Sequence, residues 1–220
     1  MLQAADGASG ETSAFIAILG LAAPGAAASS PAAVGALRIF RTAAHYPGNM
    51  LGGGGGVTEG DSICQTEAAG LGYAGTYKAL LGTRQDAAVA RFACMNPDCS
   101  PADAADGTNW PLLANRDYHR ASDAALIGTT TGNRIFSFPL SNGFEDSGPV
   151  ILHWSGIHTN WQAPSGPGGA GFGDADFDGW TITAGNGRIG HSNSVASQAM
   201  NSGNLTAFNN TLVRMLCVQQ

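Results

Sequence analysis

Thr58–Leu81 reads TEGDSICQTEAAGLGYAGTYKALL, and the spacing of its residues predicts a short helix followed by a strand. Thr58, or Asp61 three residues on, can cap the helix start. Ile63, Cys64, Glu67 and Ala68 then recur at helical spacing, and Gly70 offers a left-handed stop. Tyr77–Leu81 follows as the strand. Cys64 lies mid-helix beside an apolar position, so its sulfur is expected to face the core, where a partner on a C-terminal strand can meet it.

The rest of the composition suits a domain organised by turns. The chain has 220 residues, enough for one domain with at most an arm. Charged residues make up 12% against a usual ~25%, and Gly accounts for 32 positions, about twice its usual ~7% share. A net charge of −6 argues against a nucleic-acid backbone as partner, which needs a basic face. No run of ~20 apolar residues is present, so no transmembrane segment is expected.

Four cysteines allow three connectivities. Cys94 and Cys99 are close enough to close on each other, which leaves Cys64 with Cys217. A metal cluster would need Cys or His at ligand spacing, whereas His45, His119, His153, His158 and His191 are scattered singly. Disulfides imply export: a secreted, cell-surface or periplasmic protein.

Residues 1–36 read as a low-complexity N-terminal arm or an imperfect signal segment: an apolar core, Phe15–Ala22, is followed by small residues but preceded by Asp6 and Glu11 in place of a basic region. Leu37–Thr42 alternates as the first strand. Gly52–Gly56 is a loop with no Gly-Lys-Ser/Thr behind it, hence not a phosphate loop. A second short helix is expected over Asp86–Phe92. Strands are expected at Leu126–Gly128, Arg134–Pro139, Val150–Trp154 (the apolar central strand), Trp180–Thr183 and Leu212–Val218, with a glycine-rich loop over Pro164–Gly179. Short strands with one or two helices and long loops make an α+β domain over 37–220.

Five motifs then stand in one order: Gly60-Asp-Ser-Ile-Cys64-Gln65, Gly75-Thr-Tyr-Lys-Ala-Leu80, Ile135-Phe-Ser-Phe138, Trp154-Ser-Gly156 and Leu216-Cys-Val-Gln219. Together they resemble a bacterial domain family of unknown function found in exported and surface lipoproteins. Its motif order is similar to that of the endostatin domain of collagen, which has a C-type-lectin-like fold. The resemblance spans Leu37–Gln220. It implies a bridge from the first-helix cysteine to the last strand, Cys64 with Cys217, and no catalytic residues. It also implies binding of an extracellular protein or glycan, as in adhesion. The second bridge of that fold, in the long-loop half, has no cysteines to make it here.

Candidate site chemistry is sparse. Asp174, Asp176 and Asp178 ahead of Gly179 can wrap a hard cation such as calcium, as the first half of an EF-hand loop does. The twelfth position counted from Asp174 is Gly185 where that loop has Glu, and a solvated acidic turn is the plainer reading. The Glu-Pro-Asn and Gln-Pro-Asp sugar signatures are absent, which leaves a calcium-dependent carbohydrate-binding lectin as the alternative to a general binding module. No motif requires a cofactor. Gly185-Asn-Gly-Arg-Ile-Gly190 matches the dinucleotide fingerprint by chance, since no acid follows it. Trp161, between Asn160 and Gln162, is the expected ligand-stacking residue; Trp154 and Trp180 are expected in the core. Ser155 with His153 or His158 lacks the Gly-x-Ser-x-Gly elbow of a hydrolase.

Overall fold

The computed structural model describes residues 35–50, 55–83, 90–94, 99, 107–146, 148–163, 176–182, 186–202 and 213–220. The expected arm, most of the second short helix, Asp174 and most of the glycine-rich loop lie outside the described residues.

The opening stretch forms helix α1, Gly56–Gly70, and strand β2, Tyr77–Ala79, as its pattern predicts. Its ends differ from expectation. The N-cap is Gly55, which offers only its carbonyl, to Thr58 N (3.2 Å); neither Thr58 nor Asp61 caps. At the other end Tyr73 N donates to Ala68 O (2.9 Å) and Gly72 N to Ala69 O (3.1 Å). That is a Schellman closure with Gly72, not Gly70, in the left-handed conformation.

Gly60, Asp61 and Gln65 of α1 serve its contact with β2. A Cβ on Gly60 would stand 3.0 Å from Ala79 Cβ and 3.1 Å from Leu81 Cδ1, so glycine lets the helix lie close. β2 is an edge strand whose outward N–H groups would otherwise lack partners. Gln65 Oε1 accepts from Tyr77 N (3.0 Å) and Asp61 Oδ1 from Ala79 N (2.9 Å), so two side chains one helical turn apart replace a neighbouring strand. Asp61 also takes both Nη atoms of Arg91 (2.7 and 2.6 Å), whose side chain is fully buried and donates again to Ala79 O. Gly60→Ala is expected to lower stability by about 1–2 kcal/mol through overpacking, read as a shifted urea midpoint at unchanged m.

The remaining strands are β1 (Leu37–Arg41), β3 (Asp117–Arg120), β4 (Leu126–Thr129), β5 (Leu152–Trp154), β6 (Ile189–His191) and β7 (Leu216–Gln219). Five make one sheet in the order β2-β7-β1-β3-β4, with only β1 and β3 parallel; β5 and β6 form a separate antiparallel pair. The domain is α+β. Leu37 and Ile39 of β1 with Leu216 and Val218 of β7 pack into one apolar cluster, while Phe40 and Cys217 pack into a second. Both faces of the sheet are therefore covered at these two strands.

Both disulfides are formed. Cys64 joins α1 to Cys217 of β7, and Cys94 closes on Cys99. Among the described residues no helix is long and apolar enough to cross a membrane.

Three expected elements are corrected. Val150–Trp154 is not a central strand; only its second half pairs, in the two-stranded sheet. Ile135–Phe138 makes a single bridge, Thr130 with Phe136, where Arg134 turns left-handed (φ 60°). Arg91 and Phe92 are not helical, because they bridge to Thr83 and Thr108.

Candidate functional site

Trp180 was expected to open a strand; the backbone there makes a left-handed helical turn, Phe177–Trp180, with φ between 49° and 70° at all four residues. Such a turn costs roughly 1–2 kcal/mol at each non-glycine position. The turn is closed by Trp180 N to Asp176 O (2.6 Å) and Thr181 N to Phe177 O (3.1 Å). Aromatic burial offsets the strain. Phe177, Trp154 and Trp180 meet with ring centroids 5.1–5.9 Å apart, and the Trp154 and Trp180 indoles donate to Tyr46 O (2.8 Å) and Gly82 O (3.1 Å). Phe177 lies between Gly48 and Gly187, where a Cβ would come within 2.3 and 2.1 Å of its ring. Glycine at both positions is a packing requirement.

This turn separates the two described carboxylates. Asp176 is fully buried and accepts from Thr83 Oγ1 (2.7 Å) and Gly179 N (3.4 Å), so it holds the turn together. Asp178 is exposed. The pair does not converge on one point, and Asp174 lies outside the described residues. Among the described residues no three His, Cys, Asp or Glu side chains are grouped to hold a metal ion.

Trp161 is not the exposed platform its polar neighbours suggested. It is 2% exposed, in a turn with φ 66°, stacked on Phe138 (5.7 Å, 11°) and edge-on to Trp110 (6.3 Å). Large apolar area outweighs two polar flanks once the turn points the ring inward. Trp161 and Phe138 nevertheless line an open groove of about 330 Å³ whose other walls include Thr131, Asn133, Ser137 and Thr159. The floor is apolar and the rim carries hydroxyl and amide groups. Ser137 and Thr159 are exposed.

The serine and histidines do not assemble. Ser155 Oγ donates to Met200 O (2.6 Å), and the buried His153 places Nδ1 2.9 Å from Ser192 Oγ. His153 is completely buried, and desolvation pushes its pKa down to about 3, helped by the charges of His191 and Arg41. Burial also lowers His158, with Arg188 adding to the effect.

The residues that sequence reasoning missed are polar groups in the core. Arg91 is one: a buried cation in an otherwise small-residue stretch, whose partner Asp61 was read as a possible cap. The only signal was an arginine between Ala90 and Phe92.

These features define a disulfide-clamped α+β domain with open grooves. A family model described as "Protein of unknown function (DUF1554)" matches residues 46–195, about two thirds of the 220-residue chain, and the chain belongs to that family. No curated protein matches it.

Proposed function

We propose that this domain is an exported or surface binding module of endostatin-like, C-type-lectin-like fold, which holds an extracellular protein or glycan. The observation that carries this reading is the clamp. Cys64–Cys217 ties the first helix to the last strand, and β7 lies between β1 and β2, so the described ends of the domain share one sheet. Described irregular segments such as 130–146 and 155–163 are then displayed from a fixed base, and irregular segments on a rigid scaffold are where recognition concentrates. Two disulfides fit an oxidising compartment.

The groove beside Trp161 and Phe138 is the best place for such a ligand, with an apolar floor for a ring or side chain and a hydroxyl-bearing rim. Ser137→Arg and Thr159→Arg fill it from exposed positions, leaving the core intact. Binding of the oxidised protein to immobilised matrix proteins and to a glycan panel is expected to drop at least tenfold in both variants at unchanged melting temperature. Equal binding by all three proteins removes the groove from the reading. The same panel run with chelator and with calcium tests the lectin alternative, which requires binding that calcium restores.

A further inference from the structure

Where the two sheets meet, three extended segments run side by side. Tyr46 N donates to Val213 O (2.8 Å), Thr42 N to Met215 O (2.9 Å) and Trp154 N to Arg214 O (2.9 Å). Between them lies a cavity of about 270 Å³. It is lined by the cations Arg41 and Arg214, by His45, and by the apolar residues Val150, Ile151, Leu152 and Val213. A second cavity, of about 210 Å³, adjoins across the same two arginines.

Two guanidinium groups lining one pocket repel each other and lose hydration, a cost that an anion between them offsets. Glu145 answers one, accepting from Arg41 Nε at 2.5 Å. Arg41 Nη1 is buried and has no hydrogen-bond partner among the described residues. Arg214 donates Nη1 to Thr42 O (3.1 Å) and Nε to His45 Nε2 (3.2 Å). Desolvation and then the charge of Arg41 push the Arg214 pKa down, while the charges of Glu145 and Glu67 push it up.

We propose that this pocket is a carboxylate-binding subsite, which takes the single carboxylate of a ligand with a compact apolar or sugar body. Arg41 and Arg214 both line the pocket and Arg41 Nη1 has no partner among the described residues, so a carboxylate supplies an acceptor that this lining lacks. The guanidinium fork matches a carboxylate in two-point contact, and Val150–Leu152 receives the body attached to it. Val150, 60% exposed, stands at the mouth. The carboxylate can come from a peptide C-terminus or from an acidic sugar. The inference rests on this seam alone and stands independently of the endostatin-like reading.

Titration of the full oxidised chain, followed by calorimetry or by NMR shifts, tests it with four probes: N-acetyl-leucine, its amide, glucuronic acid and inorganic phosphate. One of the two carboxylates is expected to bind with Kd near or below the millimolar range, and which one identifies the source. The amide is expected to bind at least tenfold more weakly. Arg214→Gln and Val150→Asp, both checked for an unchanged melt, are each expected to abolish binding. Equal affinity for the amide, preference for phosphate over both carboxylates, or full binding in folded Arg214→Gln or Val150→Asp overturns the proposal. So does the absence of binding by both carboxylates.

Discussion

Replacing Cys64 and Cys217 together by alanine is expected to remove about 5 kcal/mol of stability, because their bridge closes a loop of 153 residues. Folded domains of this size are stable by only about 5–15 kcal/mol, so the variant is expected to be partly or wholly unfolded at physiological temperature. The loss has a structural route as well as an entropic one. Cys64 is fully buried on α1, and its bridge is the covalent link between that helix and β7. Without it the helix keeps its non-covalent contacts. These include buried Val57, Ile63 and Ala68, Gly60 packing, the Asp61 and Gln65 bonds to β2, and the Glu67 bonds to Ala43 N and Tyr46 Oη. The Cys94–Cys99 pair, separated by five residues, is the internal control: its replacement is expected to cost about 2 kcal/mol. Urea unfolding of both double variants measures the two costs. If they are equal, loop length is not what makes the long bridge stabilising.

The helix, the long disulfide and the central strands were legible because each left a local pattern. Cys64 fell beside an apolar position at helical spacing, and Leu212–Val218 read as a closing strand, whose second half begins β7. Helix boundaries were less legible: Gly70 and Gly72 are equivalent as sequence, and only the Tyr73–Ala68 hydrogen bond decides between them. The left-handed turn at Phe177–Trp180 was not legible at all. Phe, Asp and Trp avoid positive φ, and what holds them there is contact with Gly48, Trp154 and Gly187, which are remote in sequence. The same turn sends Asp176 inward and leaves Asp178 in solvent, so alternate spacing of carboxylates did not translate into convergence. Trp161 was misjudged for a related reason. Its neighbours in sequence are polar, but its neighbours in space are Phe136, Phe138 and Trp110. The cationic seam needed three segments to be brought together. Its one sequence trace is an arginine inside each of two apolar strands, Arg41 after Ile39-Phe40 and Arg214 ahead of Met215-Leu216.

Acid is expected to destabilise the domain well above the pH at which carboxylates titrate, and His153 is the cause. In the fold its pKa is held down to about 3, first by desolvation, then by the charges of His191 and Arg41, with the Ala199 carbonyl acting weakly the other way. In the unfolded chain the same imidazole titrates near ~6.5. The unfolded state therefore binds the extra proton from about pH 6.5 downward, while the folded state refuses it until about pH 3. Stability from this group is complete above about pH 6.5 and falls with pH inside that window, by up to about 1.4 kcal/mol per pH unit. Across the whole interval the loss reaches about 5 kcal/mol, comparable with the long disulfide. His158, half-buried and also shifted down, adds a smaller effect of the same sign. Asp123, held low by Arg120, is lost only at more acid pH, as its folded-state protonation is reached, so it does not confuse the upper part of the window. His153→Gln keeps a polar group within reach of Ser192 and cannot titrate. Urea midpoints of wild type are expected to fall steeply between pH 6.5 and 4.5, while those of His153→Gln stay nearly level. A slope in the variant as steep as in wild type would mean that some other group takes up the proton on unfolding. The buried imidazole facing Ser192 would then be a neutral packing element with no part in the acid response.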